Sequence, residues 1–138
     1  MDLAQGLLRG VDSLGRLSTA QAELVVDLPH SVAEVDGDWL VFNRKDLIDP
    51  SLCSEAVQLH MREDGEVEVV WRWRPPDCVK ATMLGAVLPM AEGRKVLAFG
   101  SGGALYFLDA DDSILFEDHL PLGLVYGQPD WIAEVSGL

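Results

Sequence analysis

The sequence predicts an all-β fold of antiparallel, propeller-like blades, about two in number, preceded by a short N-terminal helical or irregular segment. Three observations carry this expectation. Short runs rich in β-branched and aromatic residues begin at about residue 29. Turn chemistry separates them roughly every 8–12 residues, the spacing of sandwiches, barrels and propellers. One turn-and-strand pattern also occurs twice.

Residues 1–26 have a different texture. Leu3, Leu7, Val11, Leu14 and Leu17 recur at steps of three and four, as on one face of a helix. Gly6, Gly10 and Gly15 interrupt that face, each costing roughly 1 kcal/mol of helix stability relative to Ala. The segment therefore reads as a frayed helix or a loop, and residues 27–138 as one β domain.

The β elements follow in order. The apolar run 30–35 meets the turn Asp36-Gly37-Asp38, which leads into the strand Trp39-Leu40-Val41-Phe42. Runs 55–62 and 66–74 flank Glu63-Asp64-Gly65, and Asp-Gly between two such runs signals a hairpin. Within the second run Val67, Val69, Trp71 and Trp73 share one parity against Glu66, Glu68 and Arg72, which reads as one apolar face, although Val70 breaks the polar side. Pro75-Pro76 ends the run, because proline supplies no ladder donor. Further strands are expected over 82–88, 95–99, 104–108 and 113–117, joined by Ala91-Glu92-Gly93, Gly100–Gly103 and Asp109–Asp112. The stretches 36–42 and 91–99 each read as a turn and then an apolar strand ending in Phe. Their offset of about 55 residues falls near the upper end of propeller-blade periods.

Composition excludes several function classes. Hydrophobic residues make up 49% and charged residues 24%, an ordinary globular mix. Twenty-three Asp and Glu against ten Lys and Arg give a formal charge of −13, a surface that a nucleic-acid backbone repels. A basic protein partner or self-association is compatible with it; nucleic acid and membrane are not expected. No apolar run reaches the length of about twenty residues that spans a bilayer. The stretch 1–10 has an early Asp and no basic region before an apolar core, so it does not read as a secretory leader. If the chain start is native, a cytoplasmic protein is expected. Cys53 and Cys78 form no CxxC and have no histidine at zinc-finger spacing, so they read as buried or free thiols. No metal or cofactor is expected.

Other motifs have ordinary readings. Gly100-Ser101-Gly102-Gly103 lacks the Lys-Ser or Lys-Thr of a phosphate loop and precedes a strand, so it reads as a tight turn. Asp109-Ala110-Asp111-Asp112-Ser113 begins like a calcium loop but lacks the glycine and distal glutamate, so it reads as a hairpin turn. His60 and His119 have no partner at ligand spacing. Trp39, Trp71, Trp73 and Trp131 read as core or inter-blade packing before aromatic-substrate stacking.

The order of several segments resembles the arylsulfotransferase β-propeller family. Pro29-His30 through Trp39-Leu40-Val41-Phe42-Asn43 is similar to its Gln-His…Phe-Asp-Asn segment. Ser54-Glu55-Ala56-Val57 resembles its Ser-Arg strand, and Val70-Trp71-Arg72-Trp73 its Val-Trp strand. Gly85 through Gly93, Val96 through Gly103, and Tyr106-Phe107-Leu108-Asp109 follow collinearly, so the resemblance covers roughly residues 29–126. It implies two C-terminal blades of a six-bladed propeller that moves a sulfuryl group between phenols through a sulfohistidine. His30 takes the nucleophile's place, with Asn43 and Arg44 as nearby orienting groups and a phenolic sulfate as substrate. Pro29 stands where the family has Gln, and Glu55 where it has Arg. The family's other sulfonate-binding groups lie in earlier blades, so this piece is not expected to act alone. Without the resemblance, His30 is a partly exposed histidine at a strand entry, and Asn43-Arg44-Lys45 a solvated basic loop. The alternative function is a non-enzymatic acidic binding domain, of immunity or adaptor type, for a basic protein partner.

Overall fold

A computed structural model describes residues 29–45, 51–121 and 126–127. The expected N-terminal helix over 1–26 and Trp131 lie outside the described residues. Eight strands form two four-stranded antiparallel sheets, each a simple meander. The first runs β1 (Pro29–Val35), β2 (Asp38–Asn43), β3 (Glu55–Met61) and β4 (Val67–Trp73). The second runs β5 (Ala86–Pro89), β6 (Lys95–Ala98), β7 (Ala104–Leu108) and β8 (Ile114–His119). The expected all-β, blade-like architecture of about two sheets is what the chain adopts.

The turns form where their residues allow. Asp36 and Gly37 both have positive φ, 52° and 85°, as a two-residue hairpin turn requires. At the second hairpin Gly65 has φ 83°, and Arg62 N–H donates to Glu66 O at 2.9 Å. The aspartate run closes the β7–β8 hairpin as expected, with Asp109 N–H donating to Ser113 O at 2.9 Å. Asp112 of that turn accepts from Trp71 Nε1 at 2.9 Å, and Lys95 Nζ sits 4.4 Å from the Trp71 ring centroid. Gly100–Gly102 forms a 3-10 turn, and β7 follows it directly.

The alternation in β4 resolves differently from its sequence pattern. Leu59 opposes Val69 while Gln58 opposes Trp71, so Val70 is an extra, bulged residue. A bulge reverses the facing of everything beyond it. Val67 and Val69 therefore pack with Val41, Val57 and Leu59 on one side of the sheet, whereas Trp71 and Trp73 face the second sheet. The expected single apolar face is in fact two.

The main core lies between the sheets and includes Leu40, Phe42, Ala56, Trp73, Val87, Leu97, Phe99, Tyr106 and Leu108, all buried. Its aromatic rings meet edge to face. Phe42 and Phe99 have centroids 5.0 Å apart, Trp73 and Tyr106 5.1 Å, and Phe99 and Tyr106 5.6 Å. Such pairs add about 0.5–1.5 kcal/mol each beyond their area burial. Phe42 and Phe99 are the two phenylalanines of the repeated pattern, so the echo in sequence is a pair of rings touching across the core.

The strand expected over 82–88 begins only at Ala86. Leu84 and Gly85 have φ 60° and 120°, outside the strand region. The amides of Thr82 and Met83 donate to Ser101 Oγ at 2.9 and 3.0 Å instead of joining a ladder. A Cβ on Gly85 would lie 2.1 Å from the Phe42 ring, so close packing as well as φ requires glycine there.

The cysteines also differ from expectation. Cys53 and Cys78 form a disulfide with Cα atoms 5.2 Å apart, and no free cysteine is found among the described residues. The hairpin explains the pairing. Pairing of β3 with β4 brings the start of one beside the end of the other, and Ser54 N–H donates to Val79 O at 2.9 Å next to the bridge. A separation of 25 residues is the length of that hairpin with its flanks. Among the described residues no helix is long and apolar enough to cross a membrane.

Candidate functional site at one rim of the first sheet

The starts of β1 and β3 and the ends of β2 and β4 share one rim. There Pro29 opposes Asn43, Asn43 opposes Glu55, and Ala56 opposes Trp73. His30, Asn43 and Arg44 all lie at this rim, but their side chains are engaged in different directions.

His30 is exposed and stands where β1 meets the entrance to β5. Its Nδ1 lies 2.7 Å from the carbonyl oxygen of Gly85. A carbonyl only accepts, so Nδ1 carries the hydrogen, and in the neutral ring Nε2 keeps its lone pair. The adjacent Ser31 fixes this strand. Its Oγ donates to Val87 O at 3.3 Å and accepts from Val87 N–H at 3.2 Å, joining β1 to β5. The ring thus sits on two tethered strands, with Nδ1 oriented by backbone and no partner of Nε2 found among the described residues.

Asn43 belongs to a different construction. It shares the parity of Val41 and its Nδ2 donates to Glu55 Oε1 at 3.1 Å, on the sheet face away from the second sheet. Glu55 is fully buried at 0% exposure. Its Oε1 also meets Lys45 Nζ at 3.0 Å, while Oε2 meets Arg74 Nε at 2.6 Å and Arg72 Nε at 3.4 Å. One buried carboxylate at the start of β3 therefore gathers three cations and an amide from the ends of the two neighbouring strands. A single unpaired buried charge costs several kcal/mol, and this ring of donors offsets that cost.

The loop leaving β2 is drawn inward around the same point. Lys45 is buried, with φ 60°. Lys80 Nζ donates to the carbonyls of Arg44 and Lys45, both at 3.0 Å. Ser54 Oγ donates to Arg44 O at 3.1 Å and accepts from Ala81 N–H at 2.9 Å. The Arg44 guanidinium donates to Thr82 O. The solvated-loop reading of Asn43-Arg44-Lys45 is thus replaced by a packed one, in which Asn43 and Lys45 gather around Glu55 of the chain itself and Arg44 is held by a backbone carbonyl.

A second polar group stands at the opposite end of the sheet. His60 Nδ1 lies 2.7 Å from Asp38 Oδ1, and Gln58 Nε2 donates to Asp38 Oδ2 at 2.8 Å. These hydrogen bonds, that of His60 foremost, hold the Asp38 carboxyl below its ordinary value of 3.8. Sequence spacing gave His60 no partner. The signal lies in the β2–β3 register, where Trp39 opposes Leu59 and the next rung brings Asp38 beside His60. Glu55 was equally invisible as a hub, because its cations are dispersed over the chain until the strands pair. Among the described residues no group of three or more His, Cys, Asp or Glu is placed to hold a metal ion.

No family model matches the sequence, no curated protein is similar to it, and no solved structure matches the chain.

Proposed function

We propose that the chain supplies two blades and a sulfuryl-accepting histidine to an arylsulfotransferase-type propeller, acting on phenolic sulfates within a completed ring. One observation carries the reading. His30 is exposed on β1 and its Nδ1–H is held by the Gly85 carbonyl, an arrangement that suits Nε2 to act as the nucleophile. In the reaction Nε2 attacks sulfur, the bond from sulfur to the phenolic oxygen breaks, and the phenolate leaves with the electron pair. An acceptor phenol then takes the SO3 group from the imidazole and gives its proton to solvent. The sulfonate oxygens need cationic or hydrogen-bonding donors as charge develops on them. Asn43 and Arg44 are bound to Glu55 and to the Thr82 carbonyl, so that clamp must come from other blades. Two blades per chain would let about three chains close a ring, within the range of about four to eight blades.

The test takes the chain in the assembly it forms, fixed by light scattering, and supplies 4-nitrophenyl sulfate with phenol. Nitrophenolate release and one SO3 group on His30 by mass spectrometry are expected, with neither in His30→Ala. A folded sample showing no release and no adduct overturns the reading.

A second reading has its own support. The chain carries a charge of −13, and Ile114, Leu115 and Phe116 stand exposed on β8 beside Glu117 and Asp118. That combination suits a non-enzymatic acidic binding domain for a basic protein partner. Under either reading the disulfide supports an oxidising compartment over the cytoplasm.

A further inference from the structure

We propose that β8 is a docking edge to which a partner protein adds an extended strand bearing two consecutive basic residues followed by apolar ones. The inference rests on the binding reading and says where, and by what chemistry, the partner is held.

β8 is the last strand of its sheet. β7 hydrogen-bonds to one side of its backbone, and among the described residues no strand pairs with the other. All six of its residues are exposed. An edge of this kind presents a row of unpaired N–H and C=O groups, and proteins usually blunt such edges with lysine, proline, a bulge, an inward-pointing charge or a covering element. β8 has a bulge and an inward-facing Glu117 but stays paired on one side only among the described residues. None of the six residues, Ile114 to His119, is lysine or proline. Three of its side chains are large and apolar, with Ile114 36%, Leu115 55% and Phe116 52% exposed.

The register defines what an added strand would meet. Phe107 opposes Phe116 and Leu105 opposes Asp118, which puts Phe116 and Asp118 on the outer face. Leu108 opposes Ile114 and Tyr106 opposes Glu117, which puts Ile114 and Glu117 on the face toward the first sheet. Leu115 is the extra residue of a bulge between them. Each face therefore carries one apolar residue and one acid; Asp118 on the outer face also accepts from the Tyr126 hydroxyl, and no side-chain partner of Glu117 is found among the described residues. Phe116 is held edge-on against Phe107 with centroids 5.7 Å apart, so it is a fixed platform. An antiparallel partner running from His119 toward Ile114 meets Asp118, Glu117, Phe116 and then the bulge. Its complement is basic, basic, apolar, apolar. Opposite-charge and apolar cross-strand pairs each contribute favourably, and like charges oppose pairing. A second copy of this acidic chain brings the wrong charge to the same edge, so a basic partner is the fitting occupant.

The probe is a short acetylated peptide containing Thr-Lys-Lys-Val-Val-Thr, with a control in which the first valine is replaced by proline. The proline control keeps the charge but cannot pair as a strand. Titration of the full chain, followed by amide chemical shifts, should show binding of the first peptide, weakening of about tenfold or more with the control, and shifts confined to β8 and β7. Glu117→Lys, at an exposed position, should weaken binding about tenfold without altering the thermal midpoint. Equal binding of both peptides, or shifts centred elsewhere, overturns the docking edge and leaves the basic-partner reading standing. Binding of neither peptide overturns both, and association of the chain with itself through β8 overturns the docking edge.

Discussion

The two sheets close their equivalent rims by opposite means. In the first sheet Phe42 opposes Ala56, and in the second Phe99 N–H donates to Ala104 O at 2.8 Å. Each is a large ring on one strand beside alanine on the next, and both rings enter the same core. One rung further out the sheets diverge. The first places Asn43 opposite Glu55, and the connection there is long enough to hold Lys45 inward. The second places Gly100 beside Gly103 in a single tight turn, with Gly103 N–H donating to Gly100 O at 3.0 Å. A Cβ on Gly100 would fall 2.2 Å from Met83 O, so there the backbone itself fills the space. The same blade pattern is thus capped once by buried charge and once by close backbone packing. Buried charge therefore collects at the first rim, whereas backbone closes the β6–β7 connection at the second.

The difference can be tested by removing each cap. Glu55→Ala is expected to have the largest effect, about 3–5 kcal/mol by urea denaturation, because it leaves Lys45 buried without its carboxylate. Glu55→Gln, which keeps the shape and the amide's hydrogen bonds, should lose less. A cost under about 1 kcal/mol for Glu55→Ala would mean that the charge cluster does not hold the rim. The disulfide comes next. It closes a loop of 25 residues, so Cys53→Ser with Cys78→Ser should cost about 3 kcal/mol. Amide exchange in that variant should quicken around Ser54 and Val79 and remain unchanged at β6 and β7. Uniform acceleration through both sheets would show that the bridge serves the whole molecule and not the first rim.

These features differ in how far the sequence discloses them. Turns are written locally, so Asp36-Gly37 and Asp64-Gly65 mark two hairpins whose glycines take positive φ. The repeated strand ending in Phe is legible for the same reason, since Phe42 and Phe99 each terminate a local apolar run. The bulge at Val70 leaves only a trace, since Val70 breaks the polar side of the pattern, but the alternation around it still looks like one face. The Glu55 cluster is not legible, because its members join only after three strands have paired. The disulfide lay between these cases. No motif marks Cys53 and Cys78, yet the hairpin between them was readable and would have brought them together. His30 was singled out by resemblance, but its partner is the backbone carbonyl of Gly85, which no side-chain pattern announces. Residues 82–85 misled for a related reason. They are apolar enough for a strand, but the amides of Thr82 and Met83 are taken by a serine nearly twenty residues away, and Leu84 and Gly85 have positive φ.

That serine supplies the smallest and sharpest test of the contrast. Ser101 Oγ accepts from the amides of Thr82 and Met83, and Ser101 N–H donates to Met83 O at 3.0 Å. It is the main side chain binding the second rim to the segment that joins the sheets. Thr82 and Met83 are themselves exposed, so water can replace the lost acceptor. Ser101→Ala should therefore cost only about 1 kcal/mol in urea denaturation, with faster exchange limited to those two amides. The fold of the second rim should persist, because Gly100 and Gly103 close it through backbone alone. A cost matching that of Glu55→Ala would break the comparison, since both rims would then depend on one polar side chain.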